Sequence, residues 1–341
     1  MMRWLQADWS LWRSAPADCI ISPAQRAASA PPETAADLEQ VVPDLEVPSV
    51  DTVARYLTFG QRKVEGWLDP DSADVIAALG DIQRAAGYHG AVGEIGVHHG
   101  KLFILLLLLT AWDEVGFAID IFEQQHLNID RSGHGDREKF LDNVRRWAGN
   151  DRKVRIIACS SLEVRREDIV EQCGDVRLAS IDGGHTKECT VNDLRLIESV
   201  LTEQGIVIVD DYFNSHWPDV SAGVAEYLLD RKSRLLPFVI SPNKLYLTAG
   251  TNSAFYRAQL RQRFNVFKTS RMFGAEVDIY QFTPTKPDLI GYLKLTLKEG
   301  PAGPYLLTAK RAVRHLLRFR LTPTSVLSAR IQDSPQRRRG R

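Results

Sequence analysis

Between residues 53 and 282 the chain alternates short, apolar, β-rich runs with longer helical stretches, and no other feature of the sequence limits its fold as tightly. The runs are GAVGEIG at 90–96, VGFAIDIF at 115–122, KVRIIAC at 153–159, VRLASIDGG at 176–184 and GIVIVDDY at 205–212. Helices are expected between them, over 101–112, 137–147, 164–173 and 190–202. Runs that are apolar throughout, rather than at every second position, suit strands buried on both faces. A helix between successive strands is what a parallel connection requires. The expectation is therefore an α/β unit, a doubly wound and mostly parallel sheet with helices on both faces. KLYLT (244–248) and DIYQFT (278–283) are expected to close it as a C-terminal antiparallel hairpin.

Both ends of the chain differ from this middle. Residues 14–50 are rich in Ala, Pro, Ser, Glu and Asp and hold no sustained period. Such a stretch buries too little apolar surface to offset the entropy of ordering it. Residues 1–50 are thus expected to be a disordered arm with Trp4, Trp9 and Trp12 as its anchors, and 51–285 the folded domain. Residues 286–341 read as a helical extension, broken by GPAGP at 300–304, with ten Lys/Arg and one acid from residue 310 onward. Packing of its amphipathic helix on the domain is the expected role, and peripheral membrane contact through the basic tail is the alternative. Self-association into a homo-oligomer stays open.

Lys+Arg and Asp+Glu each number 43, so no net field draws a polyanion, and a dedicated nucleic-acid binder is excluded at the level of the whole chain. Cys19, Cys159, Cys173 and Cys189 show no C-x-x-C spacing, which speaks against a zinc site or a disulfide scaffold. The longest apolar run, residues 102–110, is about half the length that crosses a bilayer as a helix. MMRWLQADWSLWRS lacks the apolar core of a signal peptide, and a reducing, cytoplasmic setting is expected.

In an open parallel sheet, ligands bind outside the carboxyl ends of the strands, where the strand order reverses. After the first run come Glu94, Gly96, His98, His99 and Gly100, a turn that lets backbone pass close to a ligand but is not the G-x-G-x-x-G of a dinucleotide site. Asp120 ends the second run, where a carboxylate can accept from both hydroxyls of a ribose. Ser160 and Ser161 follow the third run and offer a hydroxyl to an adenine or its ribose.

The fourth and fifth runs end in Asp182-Gly-Gly-His185 and Asp210-Asp211-Tyr212. Neighbouring strands would bring three carboxylates and an imidazole to one mouth, and clustered acids repel unless a cation sits among them. Oxygen ligands suit Mg²⁺, so Asp182, Asp210 and Asp211 are the candidate metal ligands. His185 titrates near neutrality and is the candidate general base. Either acid alone reads as a helix cap; the set reads as functional. The polar loops 126–139 and 213–218 are expected to shape an acceptor pocket, with His216 and Trp217 as acceptor contacts.

Glu94-x-Gly96-x-x-x-Gly100, Asp120, IDGGH and VIVDDY, in this order, resemble class I S-adenosylmethionine-dependent methyltransferases. The closer resemblance is to the metal-dependent sugar O-methyltransferases of macrolides and aminocoumarins, over roughly residues 55–285. It implies a Rossmann-like fold, with Glu94, Gly96, Gly100, Asp120 and Ser161 at the cofactor and Asp120 on its ribose. It also implies a divalent ion, Mg²⁺, on Asp182, Asp210 and Asp211. His185 or a metal-bound carboxylate, Asp182, would take the proton of a small-molecule or glycosylated hydroxyl acceptor. Many class I members have glycine where His98 stands. A metal-independent methyltransferase and a non-catalytic methyltransferase-like module are the competing readings.

Overall fold

The computed structural model describes residues 50–230 and 232–282. The expected N-terminal arm with its tryptophans and the basic C-terminal extension lie outside the described residues. Five strands, β1 (Ala91–Ile95), β2 (Gly116–Ile119), β3 (Val154–Ile157), β4 (Val176–Ile181) and β5 (Leu201–Val209), run parallel in the spatial order β3-β2-β1-β4-β5. Strand order therefore reverses between β1 and β4. All residues of β1, β2 and β4 are buried, as uniformly apolar runs require.

The closing hairpin is present, but its partners differ from those expected. β7 (Lys244–Ala249) pairs antiparallel with β5 on one side and with β6 (Leu235–Ser241) on the other. Pro237 concealed β6 in the sequence; its missing N–H falls where the β6–β7 register shifts, the place a strand tolerates proline. DIYQFT instead ends β9 (Ala275–Ile279), which forms a hairpin with β8 (Lys268–Met272) and adds to β6 in parallel. The sheet among the described residues has nine strands.

Among the described residues eight α-helices connect or precede the strands: α1 (Val50–Thr58), α2 (Pro70–Ala85), α3 (Lys101–Leu108), α4 (Arg137–Ala148), α5 (Arg166–Cys173), α6 (Lys187–Val200), α7 (Pro218–Leu229) and α8 (Gly250–Arg263). Local chemistry sets several of their starts. Asp69 accepts from Asp71 N at 2.7 Å ahead of Pro70, a helix-start pair of cap and pre-set φ. Asp136 caps α4 by accepting from Lys139 N, and Thr186 caps α6 by accepting from Cys189 N. α3 is apolar all round because it is covered all round, and Leu102 to Leu108 are all buried.

The strands sort their side chains into two cores. Val92, Leu178, Ile206 and Ile208 face α2, α3, α4 and α8 on one side; Ile95, Ala179, Val207 and Val209 face α5, α6 and α7 on the other. Away from the ligand-binding end, Arg177 is 2 % exposed and makes a two-pronged pair with Glu114, at 2.8 and 2.7 Å. Nη1 also donates to Gln83 Oε1 and Nη2 to Leu109 O, so every nitrogen of the buried guanidinium has a partner. No helix of the described residues is long and apolar enough to cross a membrane.

Candidate active site

The ends of β1, β2, β4 and β5 open into one cavity of about 630 Å³, a size suited to a small-molecule ligand. Its floor is the reversal point. Gly96 turns there at φ +83°, and a Cβ on it would stand 1.8 Å from the carbonyl oxygen of Asp182, so only glycine lets β1 leave the sheet this close to β4.

Asp120 lies on the cavity wall at the end of β2. Its Oδ2 accepts from His98 N at 2.8 Å and its Oδ1 from Phe122 N at 2.7 Å, and the backbone N–H of Val97 donates to it as well, which fixes the carboxylate. Burial raises its pKa above the ordinary carboxylate value, and the backbone N–H groups that donate to it oppose that rise. His98 makes its bond from a left-handed conformation, φ 49°, at the place where glycine is common in the resembling family. Ser161 also lines the cavity, and its hydroxyl bonds to the buried Asp193.

Two of the expected cofactor residues lie behind the wall rather than on it. Glu94 is 2 % exposed within β1, and its neighbours Ile95 and Gly96 form the surface. Burial holds its carboxyl well above the ordinary value, with Lys244 pulling the other way. Gly100 caps α3 at φ 86° and packs on Phe140.

Across the floor, His185 organises the acids. Its Nδ1 stands 2.8 Å from Asp130 Oδ2, its Nε2 stands 3.0 Å from Asp211 Oδ2, and Asp182 Oδ1 lies 3.9 Å from the same Nε2. The backbone N of His185 donates to Asp130 as well, at 2.6 Å. Trp217 stacks on the imidazole at 4.4 Å with planes 16° apart, so the ring is fixed in its plane and at both nitrogens. Burial alone would lower the pKa of His185; hydrogen bonds that its ring donates to Asp130 and Asp211 outweigh burial and push the value up to about 10. Asp211 is drawn down to about 2, its burial outweighed by His185, Asn214 and Asn243. Asp182 goes the opposite way, held well above the ordinary value by burial and by Asp210.

Asp182, His185 and Asp211 each offer an atom within 4.8 Å of the others, a group able to hold a cation. That group differs from the three acids the sequence suggested. Asp210 is turned to Lys244, whose Nζ pairs with its Oδ2, while its Oδ1 accepts from Asp211 N at 2.9 Å and Asn243 Nδ2 at 3.3 Å. Asp211 sits at φ 56°, a left-handed turn; Asn243 donates to both adjacent carboxylates, while Lys244 pairs with Asp210 and His185 with Asp211.

Asp130, Asn243 and Lys244 escaped the sequence reading. Asp130 belongs to the polar loop 126–139, but nothing in its spacing ties it to His185, 55 residues on. Lys244 is the first residue of β7, and only the pairing of Val209 with Leu245 reveals that it adjoins Asp210. Of the expected acceptor contacts, His216 and Trp217 both line the cavity.

A family model described as a methyltransferase domain matches residues 94–212, the span from β1 to the acid doublet. The parallel order β3-β2-β1-β4-β5 with an antiparallel β7 beyond it, the acid-ended strands and this match together define the class. The protein is an S-adenosylmethionine-dependent methyltransferase with a Rossmann-like, class I fold. No curated protein matches the sequence. Among solved structures, the O-methyltransferase NovP is 17% identical with a TM-score of 0.45, covering 52% of this chain and 79% of its own. CalS11, a TDP-rhamnose 3'-O-methyltransferase of calicheamicin biosynthesis, is 18% identical with a TM-score of 0.40, covering 63% of this chain and 99% of its own. MycE of the mycinamycin pathway, in complex with Mg and SAH, is 15% identical with a TM-score of 0.40, covering 59% of this chain and 54% of its own. With TM-scores below 0.5, these likenesses carry nothing about the acceptor.

Proposed function

We propose that the protein is an O-methyltransferase that uses S-adenosylmethionine and a divalent ion, Mg²⁺, to methylate a hydroxyl of a small molecule. The observation that carries this reading is the Asp130–His185 pair aimed at Asp182 and Asp211, in the same cavity as Asp120. Between Asp130 and Asp211 alone His185 is held protonated, its pKa pushed up to about 10; a divalent ion on Asp182 and Asp211 would repel that proton and leave Nε2 its lone pair. The carboxylates of Asp182 and Asp211 call for a positive charge, which a bound ion would supply in place of the imidazolium, while Asp130 behind Nδ1 keeps the ring oriented. The donor set of Asp182, Asp211 and water or substrate oxygens suits Mg²⁺, which binds through one or two carboxylates and keeps room for substrate.

S-adenosylmethionine supplies an electrophilic methyl group on a sulfonium. The ion, when bound, supplies Lewis acidity that lowers the pKa of a hydroxyl oxygen and orients it. The rest falls to the chain. Asp120 accepts from the ribose hydroxyls and sets the cofactor's position, and the Gly96 turn leaves room for it beside β4. His185 accepts the hydroxyl proton at Nε2, and Asp130 keeps the other ring proton on Nδ1 so that Nε2 is the accepting atom. Trp217 holds the ring plane, and methyl transfer, an in-line displacement, gains from such fixed alignment.

The test is His185→Asn, read in two ways. Turnover of an accepted hydroxyl substrate should fall about 10²–10⁴-fold, the share of a positioned general base. Ion affinity should stay within a few-fold of native; its loss would make His185 a ligand instead of the base, and full turnover would remove it from the chemistry.

A further inference from the structure

Lys244 is a lysine with 2 % of its surface exposed, at a cavity otherwise rich in acid. It enters from the turn between β6 and β7, where Ser241 pairs with Lys244 across Pro242 and Asn243. The Val209–Leu245 pairing then holds it beside the end of β5. Its ammonium pairs with Asp210, and its charge also acts on Asp182 and Glu94. Asn243, one residue earlier at φ 64°, donates to both Asp210 and Asp211. One hairpin turn thus supplies a cation and an amide to the adjacent acids, and both oxygens of Asp210 are committed before any ligand arrives.

The consequence is a question of charge. Three carboxylates at the ends of two neighbouring strands would bind a divalent ion tightly. An ammonium fixed on one of them leaves a weaker site with less negative charge. We propose that Lys244 is a built-in counter-cation that withholds Asp210 from the ion site, so that the ion is held by Asp182 and Asp211 and exchanges with solution rather than staying resident. Lys244 is in this sense a positioning residue; it acts on the ion through Asp210. The proposal rests on the ion reading given above and adds what sets the ion's affinity.

The experiment is calorimetric titration of Mg²⁺, and of Mn²⁺ as a second probe, into the full chain and two variants. Lys244→Met releases Asp210 and should tighten ion binding roughly 10–100-fold, the scale on which neighbours of a metal site act. Lys244→Met combined with Asp210→Asn removes both charges and should return the affinity to within about threefold of native. If the methionine variant does not fold, Lys244→Gln keeps the shape without the charge and should tighten binding in the same direction. Native binding that loss of the Lys244 charge leaves unchanged or weakens overturns the proposal and leaves the ion reading standing. Absence of ion binding in the native chain and in every variant overturns both.

Discussion

Asp130 never touches the proposed reacting atoms, yet it meets His185 twice, at the backbone N and at Nδ1. Removing its charge while keeping its shape separates orientation from packing. Asp130→Asn should lower turnover roughly 10–100-fold, as loss of a carboxylate behind a site imidazole does, with cofactor affinity unchanged. Turnover at the native level would show that Trp217 alone fixes the ring. At this scale the sequence was legible wherever a residue's position follows from its place just past a strand end. Asp120, Asp182, His185, Asp210 and Asp211 all line the cavity, because the few residues that follow each strand lead out at the ligand-binding end. Glu94 is different: it is buried within β1 and does not line the cavity, although Lys244, Asp210 and Asp120 act on its charge, and spacing alone does not reveal that burial. Asp130 and Lys244 depend on contacts between distant segments, which no local pattern carries.

Among the elements, the β1–α3 turn and the buried pair at the opposite end of the sheet carry the sharpest expectations. Gly96→Ala puts a methyl group on the Asp182 carbonyl and forces a side chain into φ +83°. It should destabilise the fold by more than about 1 kcal/mol and weaken cofactor binding together, measured by denaturant unfolding and by titration. Native-like stability would mean that β1 and β4 separate easily. Glu114→Gln breaks the Arg177 pair and should cost about 3–5 kcal/mol at neutral pH, since it leaves a buried guanidinium uncompensated. Burial works to raise the Glu114 pKa, but Arg177 and the backbone N–H groups of Ala111 and Gly90 hold it below its ordinary 4.5. A lowered carboxyl stabilises the fold above its unfolded value and loses that contribution as pH falls. The stability gap between native and variant should therefore be full near neutrality and shrink as pH drops through 4.5 and below. A gap that is constant with pH would contradict the pair's charge state. Helix α2 was passed over in the sequence although Asp69-Pro70 announces its start, whereas β6 was hidden by Pro237, which argues against a strand until the register shift is known.

For the whole molecule, alternation of apolar runs and helices was enough to fix the layers, because a strand buried on both faces needs cover on both. It did not fix the far edge. β8 is polar and largely exposed, KTSRM, and a strand with no buried face leaves no apolar pattern to read. The same architecture gathers the cofactor acid and the acid–imidazole group at one end and keeps the Arg177–Glu114 network at the other. Binding at the one end should thus be separable from stability at the other: Glu114→Gln, assayed while folded, should bind cofactor with native affinity. The account as a whole stands on cofactor binding at the β1–β4 reversal. The direct measurement is calorimetric titration of S-adenosylmethionine into the native chain and into Asp120→Asn. The expected result is micromolar binding by the native chain, weakened roughly 10–100-fold in the variant, the scale of hydrogen bonds to a charged group. No binding by the native chain, or equal binding by both, would contradict it.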